Sequence, residues 1–283
     1  MTIARWRLGS PRCQEIYPVI PERRDELLYG GQMSRESIAT EQVRLNQEQI
    51  EEFYTDIFAF DQIVHFKRLT ESVPAADFRT VVDIGGGCGY FARELNRKTG
   101  LHVRVVDTDR QSIENCRKFN AQGVEAHLDD ALNPTIRGDE DVICFNLILH
   151  HLIGSDEQDT REMQKRALRT WLSKTKFVFV NEYVYDSMIG YASGRLIYEI
   201  TRSKLLSAIG MLVSKLVPSL RANTFGVGVR FRAHSEWITL FGECGYEVVS
   251  KTFGEIEPVS LARRILLINK VRRDSFLLQA KTR

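Results

Sequence analysis

Residues 79–96, RTVVDIGGGCGYFARELN, decide how this chain is read. Val81, Val82 and Ile84 make a short apolar run of the kind a covered strand requires. Tyr90, Phe91 and Leu95 recur at helical spacing. Four glycines separate the two patterns, with Asp83 just ahead of them. A glycine loop between a strand and a helix exposes bare backbone to a ligand, and the helix N-terminus behind it favours negative charge. The same loop serves several ligands, so its neighbours must identify the one it holds.

Working outward, strands and helices alternate. Strands are predicted at 80–84, 102–106, 124–128, 141–145, 177–180, 246–250 and 265–269. Helices are predicted at 90–98, 112–119, 161–172 and 235–244. This order predicts an α/β fold: a doubly wound, mostly parallel, seven-stranded sheet that binds ligands at the carboxyl ends of its strands. Ahead of it, Ile50, Phe53, Tyr54, Ile57 and Phe58 mark one face of a helix. Residues 1–75 are therefore expected to form an N-terminal helical cap, and 76–283 the ligand-binding domain, with a lid insertion at about 186–230.

Hydrophobic residues at 43% and charged residues at 27% place the chain among globular proteins that can bury a core. A net charge of +2 disfavours a surface built on phosphate contacts, so no nucleic-acid partner is expected. Cys13, Cys88, Cys116, Cys144 and Cys244 lack metal or disulfide spacing, and no metal is expected. MTIARWRLGSPRCQ has no signal-peptide core and no apolar run is long enough to span a bilayer; the expectation is cytoplasmic.

Two nucleotide ligands compete for the loop. Gly87-Cys88-Gly89-Tyr90-Phe91-Ala92 fits the dinucleotide pattern, and Asp107 follows about 20 residues after Gly87, where a ribose-binding acid belongs. Asp83, however, is awkward beside a pyrophosphate. It suits a ligand that carries an ammonium group and a sulfonium.

VVDIGGGCG, VRVVDTD, HLDDA and DVICFNLILHHL follow one another over residues 80–152. In this order and spacing the sequence resembles the class I S-adenosylmethionine-dependent methyltransferases of small-molecule type. The likeness runs more weakly to about residue 270; residues 1–75 and the insertion carry none of it. The resemblance implies S-adenosylmethionine as cofactor, with Asp83, Gly85, Gly87 and Gly89 around its methionine moiety. It implies Asp107 and Thr108 at the ribose, Asp130 at the adenine amino group with Ala131 beside the ring, and Asn146 nearby. Asp129 is the rival of Asp130.

Methyl transfer is an in-line displacement, so the protein must align the acceptor and remove a proton. His150, then His151, are the candidate bases, because imidazole titrates near physiological pH. Glu182, in FVFVNEYVY, is a carboxylate placed to orient a histidine or a substrate amine. His65 and His234 read as ordinary helical histidines. Tyr183, Tyr185, Tyr191 and Tyr198, with Phe53 and Tyr54, are candidates to line an apolar pocket. Arg230 and Arg232 are candidates to meet an acidic group. Neither Asn-Pro-Pro-Tyr nor Pro-Cys follows strand four, which disfavours methylation of nucleic-acid bases.

Within the insertion, Leu205, Ile209, Leu212 and Leu216, with Leu206, Val213 and Val217, form an apolar stripe. It fits a lid, core or dimer packing, or, with Arg202, Lys204 and Lys215, contact with a membrane. The expected function is methyl transfer to O or N of a small hydrophobic or aromatic metabolite in a biosynthetic pathway. Alternatives are a lipid or quinone methyltransferase at a membrane, a protein or nucleic-acid methyltransferase, a non-catalytic cofactor-binding subunit, and a nicotinamide oxidoreductase.

Overall fold

A computed structural model describes residues 59–73, 77–119 and 121–282. Most of the expected N-terminal cap, including Phe53 and Tyr54, lies outside the described residues. Seven strands form one sheet in the order β3-β2-β1-β4-β5-β7-β6. β1 (Thr80–Ile84), β2 (His102–Asp107), β3 (Val124–Leu128), β4 (Val142–Asn146) and β5 (Phe177–Ser187) run parallel. β6 (Tyr246–Thr252) and β7 (Ile268–Ala280) pair antiparallel, and β7 also runs against β5. The strand order reverses between β1 and β4, which opens a crevice at their carboxyl ends.

Both faces of the central strands are covered, which is why TVVDI and VICFN are nearly continuous apolar runs. Against one face, Val82, Ile84, Ile143, Phe145 and Val180 meet α4 (Glu157–Arg169) and α7 (His234–Glu243) through Leu168, Trp237 and Phe241. Against the other, Val81, Val103, Val105 and Cys144 meet α2 (Tyr90–Thr99) and α3 (Arg110–Lys118) through Phe91, Leu95 and Ile113. That second layer is completed by α1 (Ala59–Thr70), whose Ile63, Phe66 and Leu69 are almost fully buried. The Phe66 ring lies 6.1 Å from Phe91 and 5.3 Å from Phe179, edge to face in both cases.

The last strand differs most from the sequence expectation. It runs from Ile268 to Ala280, well past 269, and carries Lys270, Arg272 and Arg273 in its first half. Charges of this kind hide a strand from a hydrophobicity reading. They are accommodated by partners: Arg272 donates to Asp274 at 2.8 Å and to Asp186 at 2.5 Å, and Arg273 to Asp61 at 3.0 Å. β5 likewise continues to Ser187 because β7 pairs with its whole length.

The insertion folds as α5 (Ala192–Arg202) and α6 (Lys204–Leu216), followed by a single 3-10 turn at Pro218–Leu220. α5 buries Ile197, Tyr198 and Thr201. α6 buries Ser207 alone, so its apolar stripe faces outward and is not core packing within the described residues. No helix among the described residues is long and apolar enough to cross a membrane. A short α8 (Leu261–Arg264) lies beside the 3-10 turn.

Because α1 fills one face of the sheet, Phe66→Ala is expected to lower the unfolding free energy by roughly 3–5 kcal/mol, the cost of emptying an aromatic core position. Chemical denaturation reads this directly, and an unchanged midpoint would detach α1 from the core.

Candidate active site

The carboxyl ends of β1, β2 and β4 converge on the glycine loop. Gly85 N–H donates to Val106 O at 2.7 Å, which ties the loop to the end of β2. Gly87 N–H donates to Asp107 Oδ2 at 2.9 Å, and Asp109 N–H donates to Asp107 Oδ1 at 2.8 Å. Burial raises the Asp107 pKa above the usual carboxylate value, and the Asp109 and Gly87 amides oppose that shift. Gly87 has φ +53°, and a Cβ built there would meet nothing within 4 Å. The loop backbone is therefore open on that side. Gly89 differs: at φ +73° its Cβ would lie 2.4 Å from Cys116 Sγ, so close packing of α2 on α3 excludes any larger residue.

Asp83 is 1% exposed and lies beneath the loop, where a Cβ on Gly86 would sit 2.4 Å from Asp83 Oδ2. Its Oδ1 accepts from Asn146 Nδ2 at 2.9 Å. The amide oxygen of Asn146 is buried and finds no partner among the described residues. Asp83 thus acts on the crevice through Asn146 and the loop. Thr108 is exposed beside Asp107.

Asp129 and Asp130 separate by their partners. Asp129 Oδ1 accepts from Asp130 N–H at 2.8 Å and Oδ2 from Thr135 N–H at 2.7 Å, so both oxygens hold the loop after β3. Asp130 Oδ1 accepts from Leu132 N–H at 2.8 Å. Ala131 packs against the core beneath.

After β4, Leu147 has φ +56°, a left-handed conformation that costs a non-glycine residue of order 1–3 kcal/mol. This twist carries the chain into the 3-10 turn Leu149–His151. Glu182, fully buried on β5, receives Leu149 N–H at Oε1, 2.7 Å away. Its Oε2 lies 2.6 Å from His150 Nδ1. A carboxylate facing Nδ1 holds the ring proton there and leaves Nε2 as the acceptor. Gln164 Nε2 donates to Leu149 O at 3.0 Å, and Arg230 N–H donates to His150 O at 3.0 Å. The turn is therefore held from α4 and from the segment after α6.

His150 lies in an aromatic group. Its ring centroid is 4.2 Å from His151, 5.0 Å from Phe231 and 6.0 Å from Tyr183. Tyr185 stacks on Phe231 at 4.2 Å and accepts from Arg263 Nη2 at 3.0 Å. Burial pushes the Tyr183 phenol up to about 12. Of the four expected tyrosines, Tyr183 and Tyr185 gather here. Tyr198 is turned to Thr160, and exposed Tyr191 to Ser235. Phe231 and Gln164 were not visible as site residues in the sequence, since nothing local distinguishes them.

Arg230 and Arg232 are not presented to a substrate. Both are fully buried: Arg230 donates to Glu157 at 2.7 Å and Glu236 at 2.9 Å, and Arg232 to Gln164 at 2.8 Å and Glu157 at 3.2 Å. Burial, with Arg230 alongside, lowers Arg232 to about 10. His65 and His234 have ordinary partners, Ser275 Oγ at 2.9 Å and Asp274 Oδ2 at 2.7 Å. Among the described residues, no three His, Cys, Asp or Glu side chains are grouped to hold a metal.

Residues 81–170 match the family described as "Methyltransferase domain". A SAM-dependent methyltransferase from Leishmania major has a similar structure, with TM-score 0.53 and 15% identity over 81% of this chain and 76% of that one. The MccD protein gives TM-score 0.52 and 12% identity over 78% and 96%. The mitomycin 7-O-methyltransferase MmcR gives TM-score 0.49 and 17% identity over 79% of this chain, which spans only 54% of that protein. At these identities the likeness is one of fold. No curated relative matches the chain.

Burial holds the His151 imidazole well below its ordinary 6.5, and the adjacent His150 adds to the shift. Below 6.5 the unfolded chain therefore binds more protons at this position than the folded one, and stability falls on acidification. His151→Asn is expected to flatten that acid-side loss in thermal melts taken across this range. If the slope stays as in the wild type, another group is responsible.

Proposed function

We infer that this chain, a class I S-adenosylmethionine-dependent methyltransferase by its residues 81–170 and its sheet order, methylates O or N of a small hydrophobic or aromatic acceptor. The observation that carries this reading is the buried Glu182–His150 pair at 2.6 Å, on the same strand-end rim as Asp107 and the open backbone at Gly87.

The residues present fit the cofactor. Asp107 keeps lone pairs beyond the two taken by Gly87 and Asp109, enough for two ribose hydroxyls. Thr108 would stand beside it. Asp130 would accept the adenine amino group, with Ala131 against the ring, and Asp129, whose two oxygens take the amides of Asp130 and Thr135, would hold that loop in place. Gly85, Gly87 and Gly89 would floor the methionine moiety. Its ammonium group would meet the partnerless amide oxygen of Asn146, with Asp83 supplying the negative charge behind it. S-adenosylmethionine, when bound, supplies a sulfonium methyl group already activated for displacement.

What remains for the chain is alignment and proton removal. His150 Nε2 takes the proton of the acceptor hydroxyl or ammonium, and Glu182 stabilises the imidazolium through Nδ1. General-base help of this kind is worth about 10²–10⁴-fold. Tyr183, Tyr185 and Phe231 form the apolar wall beside the base, which favours a flat or greasy acceptor over a charged one. The exposed stripe of α6 favours a lipid-soluble acceptor as a second reading.

Isotopically labelled S-adenosylmethionine, incubated with acceptor panels and read by mass spectrometry, tests the reading as a whole. Asp107→Ala is expected to weaken cofactor binding by roughly 1–3 kcal/mol in a calorimetric titration, the cost of an unmade charged hydrogen bond. Unchanged affinity takes Asp107 out of the site. His150→Ala is expected to leave cofactor affinity intact and to lower turnover by about a hundredfold or more. A full-rate variant would leave alignment as the only contribution.

A further inference from the structure

We propose that the outer face of α6, continued by α8, docks this protein on an anionic lipid surface. Leu205, Ile209, Leu212 and Leu216 fall on one stripe of α6 and are 71%, 51%, 64% and 84% exposed. Leu261 and Ile265, 84% and 76% exposed, extend the apolar area onto α8 and its C-cap, beside the 3-10 turn that follows α6. An outward apolar face of this kind marks a surface that meets something other than water.

Its charge indicates what it meets. Between Glu199 and Glu236 the chain has no acidic residue, although its net charge is only +2. Lys204 and Lys215 stand at the two ends of α6, exposed and without an ion pair among the described residues. Arg264 is exposed nearby. Apolar side chains flanked by lysine and arginine suit the boundary between acyl chains and anionic headgroups, where long cationic side chains reach back to the phosphates. With 13 residues, α6 would rise only about 20 Å, short of a bilayer core, so it would lie in the interface and not span it.

A second copy is a poorer occupant. A two-fold contact through α6 would set its lysines near each other, with no carboxylate anywhere in residues 200–235 to offset them. The stripe also lacks the tyrosine and tryptophan anchors that protein interfaces favour.

The surface is joined to the site. Ser207, the one buried residue of α6, accepts from Gly226 N–H at 2.8 Å, and Thr201 Oγ1 accepts from Val229 N–H at 3.1 Å. The next residue, Arg230, donates its N–H to His150 O at 3.0 Å. A docked α6 thus places the base-bearing turn near the membrane, where a lipid-soluble acceptor is concentrated. That last step rests on the methyltransferase reading; the docking itself does not.

Flotation of the full-length chain with vesicles of phosphatidylcholine, with and without phosphatidylserine, tests the proposal. The chain is expected to float with phosphatidylserine vesicles, to be released by salt, and to bind phosphatidylcholine alone weakly. Lys215→Gln with Arg264→Gln is expected to lower partitioning by at least about tenfold. Leu212→Glu with Leu216→Glu is expected to abolish flotation while the thermal melt and the turnover of a water-soluble acceptor stay as in the wild type. No flotation with phosphatidylserine vesicles overturns the proposal. So does binding that survives both double variants, or a wild-type dimer that Leu212→Glu converts to monomer. None of these results bears on His150 turnover, so failure here and failure of the methyl-transfer reading are told apart.

Discussion

Five parallel strands ending on one rim leave backbone amides there that the sheet itself cannot satisfy, and this protein meets them with carboxylates. Asp107 takes the amides of Gly87 and Asp109, Glu182 takes that of Leu149, and Asp129 takes those of Asp130 and Thr135. Each acid anchors a loop or turn beside the strand ends. A carboxylate offers about four lone-pair positions, so anchoring a loop does not exhaust it.

Glu182 shows what such a group does for chemistry. Its two oxygens reach one backbone amide and one imidazole nitrogen, so the position of the turn and the tautomer of His150 are set together. The strained Leu147 is held by Leu147 N–H on Asn181 O at 2.8 Å, and the turn by Gln164 and Arg230. Strain held in this way fixes the His150 ring without leaving it free to drift.

Arg230 and Arg232 illustrate the opposite use of charge. Two guanidinium groups buried side by side would be strongly unfavourable alone. Glu157, Glu236 and Gln164 surround them, and the capping of α7 by Glu236 on Ala233 N–H draws on the same cluster. This cluster joins α4, α7 and the segment after α6 into one support behind the aromatic wall.

The sequence by itself determined the sheet, the glycine loop and the acids at the strand tips, because each is a local pattern. Apolar runs mark covered strands, glycines mark left-handed backbone, and Gly100 with φ +74° ends α2 where the pattern predicts. Asp107, Asp130, His150 and Glu182 were expected as site residues, and the structure places Asp107 at the end of β2, Asp130 after β3, His150 after β4 and Glu182 within β5. Tertiary structure alone decided the rest. The first half of β7 was hidden because its arginines find acids distant in sequence, at Asp186 and Asp61. Arg230 and Arg232 read as candidates to meet an acidic group on a substrate, and the structure gives them Glu157 and Glu236 of the chain itself. The α6 stripe has the spacing of a core helix, and only packing turns it outward. Periodicity records that a helix has an apolar side; which neighbour that side meets depends on contacts between segments far apart in the chain.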